Sequence, residues 1–350
     1  MTKREAEKRK KARRFAKKRV EYPQHVMMLW KGVMRDRIER NFELVDFRAF
    51  RGDLHVHSTY SDGVGTVDEL KKYADASGLD FFFVTDHGTV NQKRSCRKYE
   101  HVWWGQEPGT QYHHLGILGI DRKYTPKHDL VYDYRRVQAL GGFPFIPHPA
   151  GWFPGTRYSE EQKDALNLLG DEFAIEIING ANQVFDCYDI TDEQSIELWD
   201  KHLTQGKRVI ALGNSDAHLA EGIGDIWNGV CCEALEKDAV IDAIRKGHCF
   251  VSDAPLVRIE MGGARMGDVV RVERDSKIEL SFECADSLGL AMIRVIKNGA
   301  ALETIQPNEE VRVARTVTDR FSGGKSYYRV ECLAVDRRRA YSNPIYVWEK

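Results

Sequence analysis

Short, continuous apolar runs alternate with amphipathic helical segments over most of the first two-thirds of the chain. The apolar runs are Leu79 to Val84, Phe143 to Ile146 and Val209 to Leu212. The segments with helical periodicity are Thr66 to Ser77, Glu160 to Leu169, Asp192 to Leu203 and Lys237 to Lys246. Continuous apolar runs of this kind are typical of strands that are buried on both faces. The alternation therefore predicts an α/β fold with the βα repeat of a barrel.

A different pattern begins after Gly247, where apolar and polar residues alternate one by one. The alternating segments are Ser276 to Cys284, Ala291 to Lys297 and Ser326 to Val335. A period of two is typical of strands with one face in water. The pair Asn298-Gly299 predicts a hairpin, and Ser322-Gly323-Gly324 predicts a further turn. The C-terminal region is therefore predicted to be antiparallel β, in the form of a small sandwich.

Composition places the chain among globular proteins and shows a strong asymmetry of charge. With 350 residues and 42% hydrophobic content, the chain can bury one large core and a second, smaller one. Residues 1–20 contain eleven Lys and Arg against two Glu, which leaves 41 basic and 51 acidic residues elsewhere. We expect this basic arm to be helical or disordered. It could touch nucleic acid or anionic lipid, but a solvated tail without a partner is the preferred interpretation.

The chain contains neither a run of eighteen apolar residues nor an apolar segment near its start that would suit a secretory signal. Its seven cysteines stand at irregular spacings and form neither a zinc-ribbon pattern nor an even disulfide framework. We therefore expect a cytoplasmic protein without a membrane span.

Two histidines on one strand are the first sign of chemistry. In Asp53-Leu-His-Val-His57, the side chains of His55 and His57 project to the same side, and Asp62 follows in a Ser-Asp-Gly turn. Such a pair alone is more often an edge strand with two solvated histidines than a metal site.

Three buried strands, however, end in further ligand types. The strand-end motifs are Thr85-Asp86-His87, Pro147-His148-Pro149 and Asn214-Ser215-Asp216-Ala217-His218, and Glu107 and the pair His113-His114 complete the set. Polar groups at the end of a buried strand are costly unless they are used. The carboxyl ends of parallel strands are where barrels carry their sites. Together these residues exceed what one metal ion needs and predict a multinuclear centre.

These motifs, in this order, resemble those of the polymerase and histidinol phosphatase (PHP) superfamily of metallohydrolases over about residues 50–255. The stretch from Glu107 to Gly119 and the tail Cys249 to Pro255 look most like the CehA/McbA-like branch, named for a carbamate-ester hydrolase. The resemblance implies a distorted seven-stranded (β/α)7 barrel followed by a C-terminal β-sandwich-like domain. The predicted division is a basic arm (1–20), a lead-in segment (21–50), the PHP domain (51–255) and the β domain (256–350).

When the family's motifs are matched to this sequence, the resemblance implies three bound metal ions. His55, His57, Glu107 and Asp216 would hold one, Glu107 would bridge to a second held by His114 and His148, and the third would be held by Asp62, His87 and His218. His113 competes with His114, which fits the branch better. Asp53 and Asp86 could accept hydrogen bonds from the ligand imidazoles, or could equally be strand-end and turn aspartates.

The charge balance of such a centre favours an anionic substrate. Three divalent ions, three carboxylates and one hydroxide leave roughly two positive charges, enough to attract a phosphate or neutralise an oxyanion. Imidazole and carboxylate ligands without cysteine suit Mn, Zn or Fe. The prediction is a phosphoesterase with two or three divalent ions, in which a metal-bound hydroxide held by Glu107, Asp216, His55 and His57 attacks a small phosphorylated molecule or nucleotide.

Two alternatives remain open. A carboxylic or carbamate ester hydrolase would use the same residues, and a metal-binding interaction protein would use the basic arm for nucleic acid. Arg157 and Asn179 are candidate substrate contacts, although solvated or structural roles are common for both residue types. Four tryptophans near the motifs either line a cavity or pack in the core: Trp103, Trp104, Trp152 and Trp227.

Overall fold

Helices and buried strands alternate up to residue 252, and strands dominate after it. The computed structural model describes residues 24–109, 113–151, 157–180 and 190–350; the basic arm and Trp152 lie outside them. In these ranges the α-helices are α1 (Gln24–Glu43), α2 (Val67–Ser77), α3 (Lys93–Cys96), α4 (Leu130–Ala139), α5 (Glu160–Ala165), α6 (Ile190–Thr204) and α7 (Lys237–Arg245). The mixed α/β class predicted from the sequence is confirmed.

The strands of the first part are short and almost fully buried. They are β1 (Phe50–Val56), β2 (Phe81–Val84), β3 (Val102–Gln106), β4 (Gly116–Leu118), β5 (Phe143–Phe145), β6 (Glu172–Asn179), β7 (Arg208–Asn214), β8 (Trp227–Val230) and β9 (Cys249–Ser252). The second part contains β10 (Leu256–Met261), β11 (Ala264–Arg265), β12 (Val269–Val272), β13 (Lys277–Ala285), β14 (Leu290–Lys297), β15 (Ala300–Ile305), β16 (Arg312–Arg320), β17 (Lys325–Ala334), β18 (Arg339–Ser342) and β19 (Ile345–Glu349).

Local sequence explains where the helices start and stop. Thr66 caps α2 in a capping box with Glu69, and Gly78 ends this helix in the left-handed conformation that glycine adopts without steric cost. Ser159 and Gln162 form the same box at the start of α5. The four helical segments expected from periodicity all contain an α-helix, although α5 ends at Ala165 and continues as a 3₁₀ turn over Leu166–Leu168.

Pairing links β1 to β7 in a ring. Ladders join β1 to β2 and β2 to β3 in parallel, and β6 to β7 in parallel. The parallel bridge Ile146↔Ile175 connects β5 to β6, and the parallel bridge Val56↔Ala217 connects the end of β7 to β1. The strand β4 departs from a pure βα repeat because it runs antiparallel to both β3 and β5. The amino end of β4 therefore lies at the same edge as the carboxyl ends of its neighbours.

The C-terminal strands continue one of these sheets and add a second. The strand β8 pairs with β1, and the order then runs through β9, β18 and β17, so hydrogen bonding is continuous from the ring into the C-terminal region. A separate four-stranded sheet has the order β11-β10-β13-β16. The ladders among strands β13 to β18 are antiparallel, as predicted, whereas β12 and β19 pair in parallel.

The predicted hairpin is confirmed at Asn298-Gly299, which joins β14 to β15. Both residues have positive φ, 49° and 80°, as a two-residue turn between twisted strands requires. The Ser322 to Gly324 turn instead joins β16 to β17, which lie in different sheets. Side chains from the two sheets and from α1 share one apolar core, which includes Phe42, Leu280, Ile293 and Val330.

Within the described ranges, no helix combines the length and apolar character needed to cross a bilayer.

Candidate metal centre

The predicted ligand residues meet at one edge of the ring. They follow the carboxyl ends of strands β1, β2, β3, β5 and β7, and His114 precedes β4, whose reversed direction brings its start to the same edge. The residues brought together there are His55, His57, Asp62, His87, Glu107, His114, His148, Asp216 and His218. Residues separated by up to about 160 positions in the sequence therefore surround a common volume.

Four side-chain atoms from His55, His57, Glu107 and Asp216 form the first ligand group. The two Nε2 atoms lie 3.0 Å apart, and each lies 3.3 Å from Glu107 Oε2. Asp216 Oδ1 lies 3.3 Å from His55 Nε2 and 3.0 Å from His57 Nε2. Atoms that share one ion at about 2.0 to 2.1 Å stand about 3.0 to 3.4 Å apart. The distances from the two imidazole nitrogens to each carboxylate oxygen are therefore those of ligands around an ion. His55 and His57 group with Glu107, and His55 also groups with His148 and Asp216.

Glu107 offers its other oxygen to a second ligand group. Its Oε1 atom lies 2.9 Å from His114 Nδ1 and 3.0 Å from His148 Nε2. His148 also stands within ligand distance of His55 and Asp216. Because Glu107 turns one oxygen to each group, its carboxylate has the geometry of a bridge between two ions.

The third ligand group is more open to solvent. Asp62 lies 3.5 Å from both His87 Nε2 and His218 Nε2, and 3.8 Å from His57 Nδ1. The ring of His57 stacks on those of His87 and His218, with centroids 4.5 and 4.3 Å away. This group adds His57 to the predicted set, and its exposed side marks the mouth of the centre.

Orphaned polar atoms show that these residues fit bound metal. Glu107 Oε2, His57 Nδ1 and Asp62 Oδ1 are buried and make no hydrogen bond within the described part of the chain. A buried polar atom without a partner costs about 1 to 3 kcal/mol, more if it is charged. Each of these atoms points into a ligand group, where a cation would satisfy it.

The imidazoles and carboxylates of the cluster stabilise each other's charged forms and so offset the cost of burial. Burial lowers the pKa of His57, but Asp216 and Glu107 outweigh burial and raise it to about 10. The pKa of Glu107 is held well below its usual range, against burial, by the surrounding His114, His55 and His87. Burial lowers the pKa of His87 to about 4. The carboxylates therefore stay ionised at neutral pH, and the cluster favours positive charge at its centre.

Two of these residues adopt a backbone conformation that side chains disfavour. His148 has φ 30° and Asp216 has φ 47°. Positive φ is uncommon outside glycine and costs of order 1 to 3 kcal/mol, and it clusters at functional sites. The fold holds both residues in this conformation, which turns their side chains into the first and second ligand groups.

Glu176 is a central residue that the sequence interpretation did not include. It is fully buried on β6; its Oε1 accepts a hydrogen bond from Asn214 Nδ2 (2.8 Å) and lies 3.2 Å from His55 Nδ1. Its Oε2 accepts from the backbone N–H of His148 (2.8 Å) and from Asn179 Nδ2 (2.7 Å). A carboxylate at His55 Nδ1 keeps the proton there and leaves Nε2 free as a ligand.

We expect Glu176→Gln to weaken metal binding by about 10- to 100-fold, because the neutral amide no longer fixes the tautomer of His55. The dissociation constant for Zn²⁺ or Mn²⁺, measured by competition with a chromogenic chelator, tests this. Glu172→Gln is the matched control, since Glu172 is an exposed carboxylate on the same strand that pairs with Arg208. An affinity within about twofold of the parent protein would show that Glu176 has no positioning role.

Asp53 and Asp86 contact the backbone and hydroxyl groups, and no contact with an imidazole is seen among the described residues. Asp53 accepts from the N–H groups of His55, Ser215 and Gly224, so it ties the β1 and β7 ends together. Asp86 accepts from the N–H and hydroxyl of Ser58 and from the hydroxyl of Ser61. The hypothesis that they orient imidazoles is therefore replaced by a role in fixing the loops that carry Asp62 and Asp216.

The adjacent histidines separate clearly. His114 Nδ1 lies against Glu107, whereas His113 Nε2 lies 3.4 Å from Asp133 Oδ2, away from the three ligand groups. Asp133 also accepts from the hydroxyl of Tyr124. The structure thus brings His114, and not His113, to the centre.

The candidate substrate contacts and the tryptophans predicted near the motifs lie in different parts of the structure. Asn179 Nδ2 lies 3.3 Å from Asp216 Oδ2, so it belongs to the centre, whereas Arg157 is exposed. Trp103 packs on Phe81 and Phe83, and Trp104 contacts basic side chains and Asp121. Trp227 is fully buried against Phe250. Trp103 and Trp227 therefore serve packing, whereas Trp104 lies partly exposed among polar and charged side chains.

Comparison with known proteins finds similarity to one family at part of this edge. A family model described as PHP-associated matches residues 207–249, which include β7 and the loop with Asp216 and His218. The DNA polymerase/3'-5' exonuclease PolX of Bacillus subtilis is 23% identical over 225 residues, and the match covers 54% of this chain and 38% of that protein. The chain thus spans well under half the length of this relative.

Solved structures give partial superpositions. PsfC from Pseudomonas syringae is 14% identical, with a TM-score of 0.42 over 56% of this chain and 88% of that one. The lesion-specific endonuclease PfuEndoQ from Pyrococcus furiosus is 15% identical, with a TM-score of 0.42 over 56% of each chain. At these scores neither structure bears on the function of this chain.

Proposed function

We propose that this chain, which belongs to the PHP superfamily of metallohydrolases, is a metal-dependent phosphoesterase that acts on a small phosphorylated molecule or nucleotide. Superfamily membership follows from the PHP-associated match at residues 207–249 and from the relationship to PolX. The CehA/McbA-like branch stays a prediction. Within the superfamily fold we assign the ring β1 to β7 as the distorted (β/α)7 barrel, and residues 256–350 as the β-sandwich-like domain.

One observation carries the proposal: the Nε2 atoms of His55 and His57 lie 3.0 Å apart, and each lies 3.0 to 3.3 Å from an oxygen of Glu107 and from an oxygen of Asp216. A solvated or purely structural histidine pair would not need two buried carboxylates on the same nitrogens. Burying these charges is costly unless ions or hydrogen bonds compensate them. The convergence is therefore best explained as a site built for cations.

The three ligand groups would hold two or three divalent ions. When bound, such ions polarise phosphoryl oxygens and lower the pKa of bound water. The donors are imidazole nitrogens and carboxylate oxygens, which suit Mn, Zn or Fe. Among the described cysteines, none belongs to a ligand group. Thiolate-selective metals are therefore not expected here.

The residues of the chain supply position and charge. If every group is filled, three divalent ions against the carboxylates of Asp62, Glu107 and Asp216 leave roughly three positive charges, or two once a hydroxide is counted, which attracts a phosphate dianion. The mouth lies at Asp62, His87 and His218, the more exposed residues of the cluster. We infer that the anionic part of the substrate enters at this mouth. The buried first ligand group would then orient the phosphoryl group that reacts.

A substrate panel tests this function. Metal-stripped protein reloaded with Mn²⁺, Zn²⁺ or Fe²⁺ is assayed with phosphomonoesters, phosphodiesters, nucleotides, short oligonucleotides, and carboxylic and carbamate esters. We expect phosphoester hydrolysis with kcat/KM reduced about 100-fold or more in His114→Gln. Turnover should stay within about threefold in the neighbouring control His113→Gln, because His113 faces Asp133.

Three results would contradict the proposal. Hydrolysis confined to carboxylic or carbamate esters would move the function to the ester-hydrolase alternative, which shares the same residues. Equal activity of His114→Gln and His113→Gln would show that turnover does not depend on the ligand groups. Metal binding without turnover of any ester would favour a metal-binding interaction protein.

A further inference from the structure

A buried arginine of the C-terminal strands pairs with the helix that follows β6. Arg339 lies on β18 and is 8% exposed. Its Nη2 atom donates to Asp192 Oδ2 (3.2 Å), and its Nη1 atom donates to Glu193 Oε1 (2.9 Å). Asp192 and Glu193 lie in the first turn of α6, and Asp192 is buried. The start of this helix is therefore tied to the C-terminal region.

The backbone of Arg339 is itself fixed by two strands. Its N–H donates to Asp253 Oδ1 (2.6 Å), and its carbonyl oxygen accepts from the N–H of Asp253 (3.2 Å). Asp253 directly follows β9, which pairs with β18. On its other side, Arg339 pairs with Leu333 in the ladder between β17 and β18. The guanidinium therefore reaches Asp192 from a backbone that is held on both sides.

Asp192 connects Arg339 to Asn179, the last residue of β6. The Oδ1 atom of Asp192 accepts from the backbone N–H of Asn179 (3.2 Å). The Nδ2 atom of Asn179 donates to Glu176 Oε2 (2.7 Å) and to Asp216 Oδ2 (3.3 Å). Asp192 and Asn179 are only 2 and 3% exposed. A continuous line of buried polar contacts thus runs from the C-terminal strands to a carboxylate of the first ligand group.

The end of β6 and the loop that carries Asp216 both need such a contact. The register of the β6–β7 ladder shifts between Glu176 and Ile178, so regular pairing is interrupted just before Asn179. Asp216 has φ 47°, a conformation that its surroundings must hold. Its Oδ1 atom faces the two imidazoles of the first ligand group. The hydrogen bond at Oδ2 therefore fixes how this carboxylate is rotated toward the ion site.

We propose that Arg339 is a positioning residue of the metal centre, which acts through Asp192 and Asn179 on the carboxylates of Asp216 and Glu176. Without the guanidinium, the Asp192 carboxylate is buried without this cation, which is costly unless it takes up a proton or moves toward water. Either change alters the oxygen that holds the N–H of Asn179. The inference rests on the metal centre of the proposed function and makes the C-terminal strands part of that centre.

The metal affinity of Arg339→Met tests the proposal. The dissociation constants for Zn²⁺ and Mn²⁺ are measured on the full chain by competition with a chromogenic chelator, which needs no substrate. We expect binding about tenfold weaker than in the parent protein, the low end of the loss seen when a residue that supports a metal ligand is removed. Arg339→Lys keeps a cation beside Asp192 but loses the planar fork, so it should recover part of the loss.

Arg329→Met is the matched control. Arg329 is a buried arginine on β17 that also pairs with a carboxylate of α6, Asp200, about two turns along the helix from Asp192. Asp200 accepts from Arg329 and from the hydroxyl of Tyr327, both on β17. Both variants should lower the urea midpoint, because each leaves an α6 carboxylate without its guanidinium. Only Arg339→Met should weaken metal binding, which separates positioning from a general loss of stability.

Asn179→Ala tests the route. If Arg339 acts through Asn179, the double variant Arg339→Met/Asn179→Ala binds metal no more weakly than Asn179→Ala alone. Three outcomes would overturn the proposal: an affinity of Arg339→Met equal to that of the parent, an equal loss in Arg329→Met, or additive losses in the double variant. Should Arg339→Met fail to fold, Arg339→Lys replaces it, and parent-like affinity there overturns the proposal. A parent protein that binds no metal would overturn the metal centre as well, whereas the other outcomes leave that centre standing.

Discussion

Glu107→Gln is expected to lower kcat/KM for phosphoester hydrolysis by about 10³-fold or more and to reduce the number of bound ions per chain. Glu107 serves two ligand groups at once, with Oε2 near His55 and His57 and Oε1 near His114 and His148. The amide keeps the shape but loses the charge, and its NH₂ group cannot act as a metal ligand. Elemental analysis of dialysed protein, beside steady-state kinetics in excess Mn²⁺, measures both effects.

The matched control for Glu107→Gln is Glu283→Gln. Glu283 is also a buried glutamate, but it pairs with Arg258 and Arg312 in the C-terminal strands. This control should keep the metal content and turnover of the parent protein, although its stability will fall. If Glu107→Gln retains full metal occupancy and turnover, Glu107 does not bridge ions and the proposed centre is wrong.

The ligand cluster could be predicted because each of its motifs is local. His55 and His57 alternate on one strand, and Asp86-His87, His148 and Asp216 each end a buried apolar run. Strands of a barrel direct their carboxyl ends to one edge, so local motifs converge without any knowledge of the loops. For this reason the sequence predicted which residues meet, although it did not predict their contacts with each other.

Contacts that depend on strand register were beyond this reasoning. Glu176 lies 121 positions from His55, and the two meet only because β6 pairs with β7 and β7 is bridged to β1. One signal was available: Glu176 is a charged residue inside the apolar run from Phe173 to Ile178. A buried carboxylate there requires partners.

The aspartates beside the ligands illustrate a second limit. A position next to a histidine does not tell whether a carboxylate faces an imidazole or the backbone. Strand alternation places Asp53 and His55 on the same side, yet Asp53 accepts from the N–H groups of Ser215 and Gly224. Burial raises the pKa of Asp53 to about 6, against these hydrogen bonds. Its role is to hold two strand ends at a fixed distance.

The attachment of α1 could not be predicted at all, because its partner lies 249 positions away. Arg37 donates to Asp286 from Nε (3.2 Å) and Nη2 (2.8 Å), and to Asp336 from Nη1 (2.5 Å). Asp286 is fully buried. The lead-in segment is therefore tied to the C-terminal strands. We expect a large loss of stability when the Arg37–Asp286 pair is broken.

Arg37→Met should lower the free energy of unfolding by about 3 to 5 kcal/mol, because it leaves the Asp286 carboxylate buried without its guanidinium. In the parent protein, burial raises the pKa of Asp286 more than Arg37 lowers it. A raised carboxyl pKa means that the folded state binds the proton more tightly than the unfolded state. Stability from this group is thus present at low pH and lost as pH rises through the folded pKa. The defect of Arg37→Met should accordingly be smaller at about pH 5 than at about pH 8.

Urea denaturation followed by fluorescence measures this effect, and the chain offers a neighbouring control. Arg35 pairs with Asp36 on the surface with 40% of its side chain exposed, whereas only 4% of the Arg37 side chain is exposed. Arg35→Met should therefore change stability by less than about 0.5 kcal/mol. Adding Asp286→Asn to Arg37→Met should recover part of the loss, because the buried charge without a partner is gone. If Arg37→Met costs no more than Arg35→Met, the buried pair does not anchor α1 to the C-terminal strands.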